Sequence, residues 1–142
     1  MRNTVHKVPT GSYQISLPAD IVEDPDKAVF SYWMPEKDVL LQLSSYSRYK
    51  GRQSTASERL SDRMSRERLV DIADTDISPV ACPDVAAKAG TDNEGVHWVH
   101  CYAVWPDLTI YITLSWHGDA LENKGGWAVK AVKTLKRLGL AR

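Results

Sequence analysis

The sequence predicts an α+β fold: an antiparallel β-sheet with two flanking α-helices. Three observations carry this expectation. Residues 96–116, VHWVHCYAVWPDLTIYITLSW, form two arms rich in β-branched and aromatic residues joined at Pro106-Asp107, which suits two long strands on a half-buried pleated surface. Two segments, one opening at Thr55 and one closing the chain, carry helical spacing of their apolar residues. The remaining strand-like runs are joined by short polar turns, which argues for antiparallel neighbours rather than helical crossovers. The 142 residues suffice for one domain, 1–142, and are too few for two ordinary ones; 43% hydrophobic residues allow a sizeable core.

Residues 1–11 are polar and end in Pro-Thr-Gly, which reads as a flexible lead-in. Tyr13, Ile15 and Leu17 alternate with polar residues, marking a short strand that Pro18 ends. Residues 19–27, ADIVEDPDK, read as a loop with turn signals at Asp24-Pro25-Asp26. Strands are expected from Ala28 to Met34 and from Val39 to Tyr46, joined by the four-residue loop Pro35-Glu36-Lys37-Asp38. Residues 47–54, SRYKGRQS, form a basic loop.

Thr55-Ala-Ser-Glu58 fits a capping box, in which a hydroxyl and a carboxylate satisfy the free N–H groups of a helix start. That helix should run from about Ala56 to about Leu69, with Ala56, Leu60 and Met64 as its apolar stripe. Its other face is charged, and Asp62–Arg66 and Arg63–Glu67 are opposite-charge pairs four residues apart. Residues 70–82 predict one irregular strand near Ile77. Ala86 to Ala89 predicts another, closed by the turn Thr91 to Gly95. A last helix should start at about Ala120 or Lys124 and end near Leu138, with Gly139 as its stop; Gly125-Gly126 can break it early. Its stripe is Ala128, Val132 and Leu135, widened by Trp127, Ala131 and Leu138.

The turn Trp105-Pro106-Asp107-Leu108 sets the register of the long hairpin, because proline presets φ and the aspartate tolerates the bridge region. Facing Trp105 with Leu108 puts Val99, Cys101 and Ala103 opposite Leu114, Ile112 and Ile110. This face is almost wholly apolar and should lie on the core. The other face carries Trp98, His100, Tyr102 and Val104 on one arm, with Thr109, Tyr111, Thr113 and Ser115 on the next. Thr109, Thr113 and Ser115 are expected to be the more exposed. Two readings of this face stand open. A helix or loop covers it, or it is a binding surface, since Tyr and Trp offer large contact area with few rotatable bonds.

Lysine plus arginine equals aspartate plus glutamate, 18 each, so attraction to nucleic acid or an anionic membrane is not expected. No apolar run at the N-terminus resembles a signal peptide, and no stretch reaches the length of a transmembrane helix. A cytoplasmic protein with free thiols at Cys82 and Cys101 is the expectation.

The element order resembles the PsbP-like fold, an α/β/α sandwich. Tyr13-Gln-Ile-Ser-Leu-Pro18 looks like that superfamily's entry strand, Trp98 to Trp116 like its long hairpin, and Trp127 to Leu138 like its closing helix. The superfamily includes photosystem accessory proteins, a Ran-binding nuclear import factor and small bacterial proteins, some of them adaptors of type VI secretion effectors. The resemblance implies a non-enzymatic scaffold that binds proteins.

Catalytic and metal chemistry finds little support. His97 and His100 point to opposite strand faces, as do His100 and Cys101, and His97 and Cys101 lie about 13 Å apart along one strand. Cys101 falls on the core face, where a buried thiol is inert. No phosphate-binding glycine loop is present, and no cofactor is expected. The basic run Arg48, Lys50, Arg52 continues to Arg59, Arg63 and Arg66; Glu58, Asp62 and Glu67 balance it, and an acidic protein partner would also suit it. The expected site is therefore Trp98, His100, Tyr102 and Tyr111, rimmed by Arg48, Tyr49 and Arg52. The expected function is a bacterial immunity or adaptor protein that holds a toxin or secreted effector. The alternative is a small-ligand-binding protein or enzyme that uses an aromatic, His-lined pocket.

Overall fold

The computed structural model describes residues 4–25, 28–47 and 54–138. In chain order the elements are β1 (Thr4–Lys7), β2 (Tyr13–Pro18), β3 (Val22–Pro25), β4 (Phe30–Trp33), β5 (Val39–Ser47), α1 (Ala56–Arg66), β6 (Val70–Asp74) and β7 (Asp84–Thr91). They continue with β8 (Val96–Trp105), β9 (Leu108–His117), α2 (Ala120–Asn123), α3 (Gly126–Lys133) and β10 (Lys136–Arg137). A seven-stranded sheet has the order β3-β4-β5-β9-β8-β7-β6, and a three-stranded sheet the order β1-β2-β10. Every pairing is antiparallel.

The β8–β9 hairpin lies inside the large sheet in the register its turn requires, with Trp105 opposite Leu108 and Cys101 opposite Ile112. Because side chains alternate with period two, each register row keeps to one face. Phe30, Leu43, Ile112, Cys101 and Ala87 form one row, and Tyr32, Leu41, Leu114, Val99 and Ala89 the next. This face is the main core, where Ile110, Ile112, Leu114 and Cys101 are at most 1% exposed. Against it pack Tyr13, Ile15 and Leu17 of β2 and Ala128, Ala131 and Val132 of α3. The opposite face is covered in part by α1, whose Ala56 and Leu60 form a smaller cluster with Tyr102 and Val104.

The expected antiparallel sheet is present. Among the described residues, three helices and a second, small sheet stand where a pair of flanking helices was expected, and α3 shares its layer with β2. Part of the expected lead-in is a strand: Thr4–Lys7 pairs along β2. The expected loop at 19–27 contains β3, which pairs with β4; its Asp-Pro turn signal misleads because a proline is tolerated on a sheet edge.

The strand expected near Ile77 is instead β6, whose residues are all exposed and so show no buried alternation. Ile77 itself is a core contact at 8% exposure. In β6 the register slips between Val70 and Ala73, and Asp71 takes φ 55°. Helix α1 opens on the expected capping box, with Thr55 Oγ1 accepting from Glu58 N at 3.1 Å and Glu58 Oε1 accepting from Thr55 N at 2.9 Å. It ends at Arg66, short of Leu69, because Glu67 turns extended. That turn brings Leu69 against Gly90, where a Cβ would lie 2.9 Å from Leu69 Cβ.

The closing helix is interrupted at Gly125-Gly126 and stops at Lys133. A Cβ on Gly125 would clash with Val39 and come within 2.9 Å of Leu121 Cα, so α2 and α3 can approach β5 only through glycine. Thr134 Oγ1 accepts from Ser16 N at 2.9 Å, which ends the helix on β2. Leu135, still fully buried, follows the helix rather than belonging to it. The expected stop at Gly139 lies outside the described residues. Arg137 then grips Asp107 of the hairpin turn through two bonds of 2.5 and 2.6 Å.

Candidate functional site

Strand alternation and register together gather four rings on the α1 side of the sheet. Trp98, His100 and Tyr102 alternate along β8, and Tyr102 faces Tyr111 of β9. The rings stack in sequence. Trp98 and His100 have centroids 5.8 Å apart, His100 and Tyr111 5.9 Å, and Tyr111 and Tyr102 4.7 Å. Helix α1 supplies the end of the stack. Its start is fixed over β7 by Ala56 N donating to Asp84 Oδ2 at 2.9 Å. Two turns further on, the Arg63 guanidinium lies 4.7 Å from the Tyr111 centroid, a cation–π contact, and its Nε donates to Tyr102 Oη at 3.4 Å.

The four expected ring residues are therefore brought together, with unequal exposure. Tyr102 is 6% exposed beneath α1 and His100 3% exposed, whereas Trp98 and Tyr111 are half-buried. Arg48, Tyr49 and Arg52, the expected rim, lie outside the described residues. The expectation that Thr109, Thr113 and Ser115 are more exposed than Ile110, Ile112 and Leu114 fails at Thr109. Thr109 is fully buried, like Ile110, whereas Thr113 at 7% exceeds Ile112 at 1% and Leu114 at 0%. Ser115 is intermediate.

Beyond the end of α1 this face opens into a cleft of about 530 Å³. Trp98, His100, Tyr111 and Thr113 line its central strands, Gln42 and Ser44 one side, and Arg66 to Leu69 with Asp92 and Asn93 the other. The β7–β8 turn explains the position of Asp92. Gly95 takes φ 82°, and Asp92 Oδ1 accepts from Glu94 N at 2.8 Å and Val96 N at 3.0 Å. Its Oδ2 accepts from Trp98 Nε1 at 2.9 Å, orienting the indole at the cleft edge. These bonds, the indole first, hold the Asp92 carboxyl below its ordinary value.

His100 and Tyr111 are joined by a hydrogen bond between Nδ1 and Oη. Burial holds the His100 ring below its ordinary pKa and pushes the Tyr111 phenol upward, which favours the neutral form of each. In the tautomer in which Tyr111 Oη donates to Nδ1, the ring proton sits on Nε2.

Comparison with protein-family models and with curated proteins finds no match. Solved structures do match. The solution structure of cyanobacterial PsbP (CyanoP) from Synechocystis sp. PCC 6803 superposes with a TM-score of 0.64 at 11% identity, covering 97% of this chain and 94% of that one. The chain has a PsbP-like fold. A crystal structure from Bacteroides thetaiotaomicron VPI-5482 also superposes at a TM-score of 0.64 and 11% identity, over 98% of this chain. The PsbP-like chain spans 50% of the length of that protein.

The PsbP-like core leaves little nucleophilic chemistry to its thiols. Both cysteines are free; burial pushes Cys101 up to about 12 and also raises Cys82, which keeps both as thiols. Among the described residues no group of three or more His, Cys, Asp or Glu gathers to hold a metal, and no helix is long and apolar enough to cross a membrane. A second groove, about 770 Å³, lies between β2 and α3, where Trp127 Nε1 donates to Asp38 Oδ1 at 3.3 Å. Sequence reasoning missed Arg63, Glu67, Arg68 and Asp92 as neighbours of the rings. Arg63 and Glu67 had a signal, since they sit three and seven residues after Leu60 on the expected helix. Arg68 and Asp92 reach the cleft through tertiary packing alone.

Proposed function

We propose that this PsbP-like chain is a non-enzymatic, cytoplasmic protein-binding module, a bacterial immunity or adaptor protein that holds a toxin or secreted effector. In this reading α1 and the α3 layer are the outer layers of an α/β/α sandwich, and the partner docks where α1 leaves the sheet uncovered. Neither nucleic acid nor membrane is a partner. The observation that carries the proposal is the open cleft floored by stacked rings, in which Trp98 and Tyr111 remain half-exposed beside a charged rim. Rigid aromatic residues in such a setting are typical centres of protein recognition.

The test is affinity capture to identify the partner, followed by titration of Trp98→Ala and Tyr111→Ala against it. Each substitution should weaken binding by about 1–2 kcal/mol while the fold persists. Undiminished binding in both variants would place the working surface elsewhere. One observation favours a second reading: a cleft of about 530 Å³ is also the size of small-molecule sites. A small molecule retained in native mass spectrometry, with no protein captured, would select that reading.

A further inference from the structure

The cleft's polar groups are of two kinds, those already engaged and those still unpartnered. Its two carboxylates are engaged. Asp92 accepts three N–H donors, and Glu67 pairs with Arg63 at 3.9 Å. Arg66 is bound to Asp62 at 2.6 Å. Lys88, which faces His100 across the ladder, is bound to Asp74 at 2.8 Å. The polar lining that remains includes the amides of Gln42 and Asn93, the Ser44 hydroxyl and three further groups. Arg68 makes no ion pair among the described residues, and it lines the cleft. Thr113 is 7% exposed, and its hydroxyl has no hydrogen-bond partner among the described residues. His100 is 3% exposed, and Nε2, the ring nitrogen left over after Nδ1 is taken, is the donor in the tautomer that accepts from Tyr111. Thr113 and His100 stand opposite each other in the β8–β9 register, so their free donors are neighbours.

We propose that the cleft binds a carboxylate side chain of the partner protein, held by the His100 Nε2–H, the Thr113 hydroxyl and the Arg68 guanidinium, with apolar atoms beside it on Trp98. The inference rests on the protein-binding reading above and gives that partner its chemistry: an acidic residue next to an aromatic or aliphatic one. A carboxylate offers acceptors to all three donors at once, and its charge complements the guanidinium. A cationic ligand would meet the like charge of Arg68, while Glu67 and Asp92 are already engaged. The partner's amide side chains would satisfy fewer of the donors and bring no charge.

The probe is the blocked dipeptide Ac-Phe-Glu-NH2, followed by NMR through the Trp98 indole N–H and the His100 ring nitrogens, with Ac-Phe-Gln-NH2, Ac-Phe-Lys-NH2 and benzoate as comparisons. The glutamate peptide should give saturable shifts and bind about tenfold more tightly than the glutamine and lysine peptides, the scale of a charge-assisted hydrogen bond. Thr113→Val and Arg68→Gln, the first nearly isosteric and the second at an exposed position, should each erase that preference while keeping a folded spectrum. Equal or tighter binding of the lysine peptide, or no saturable shift with glutamate, overturns the inference. If benzoate saturates the same signals at about a tenth of the peptide concentration, the carboxylate chemistry stands and the protein-partner reading falls. If a captured partner is weakened by Trp98→Ala but not by Thr113→Val or Arg68→Gln, the protein-partner reading stands and the carboxylate inference falls.

Discussion

Ile112 lies between Leu43 and Cys101 in a row of buried side chains and is 1% exposed. Truncating it removes apolar contact on both sides and leaves a cavity that the flanking strands cannot collapse. Ile112→Ala should cost about 2–5 kcal/mol, read as a lowered midpoint in chemical denaturation. His100 gives a pH signature. Because burial lowers its pKa, the unfolded chain takes up a proton more readily than the native one. Stability should therefore fall as pH drops below 6.5, the ordinary value, until the folded ring itself is protonated. His100→Gln should flatten this slope in denaturation midpoints collected between about pH 8 and pH 5. Which residues face the core was legible, because Val99 and Cys101 alternate cleanly with Trp98, His100 and Tyr102. How deeply the other face is covered was not. Thr109 and Thr113 look like surface residues in any local window, and only tertiary packing buries them.

Elements show the same division. Thr55, which sets the start of α1, signals through local chemistry alone, and Thr55→Ala should cost about 0.5–2 kcal/mol with lost helicity by circular dichroism. Gly125 signals through a contact distant in sequence. Gly125→Ala should destabilise the chain more than Gly126→Ala, since a Cβ meets Val39 and Leu121 at the first position and nothing within 4 Å at the second. Thermal melts of the two variants compare them directly. The strands that were missed, β1, β3 and β6, share a physical reason: each is the outermost strand of its sheet. An edge strand need not alternate buried and exposed residues, so period two weakens where pairing is one-sided. The end of α1 was overestimated for a related reason: the charged pairs continue the helical pattern, while Leu69 is claimed by Gly90 on another element.

At the scale of the whole molecule, the order of the large sheet ranks its strands by protection. β9 and β8 are enclosed on both sides, whereas β3 and β6 are paired on one side only. Amide exchange should be slowest in β8 and β9 and fastest in β3 and β6, as mass spectrometry of exchanged peptides would show. The hairpin is also tied to the chain's last described strand through Asp107 and Arg137, which joins the two sheets outside the core. The fold class and the central register were legible because the longest strands are also the most enclosed; the small sheet was not, since β10 has only two residues. One feature of β6 bears on how copies of the molecule behave when crowded. Val70 and Ile72 are 61% and 46% exposed on an unpaired edge, the kind of surface on which a foreign strand can grow. Asp71, with its positive φ, and the slipped register twist that edge away from the straight path a growing fibre requires. Asp71→Val, which favours an extended backbone, should leave the monomer folded yet raise turbidity and thioflavin fluorescence on mild heating; a carboxylate at a kink thus serves as a guard against polymerisation.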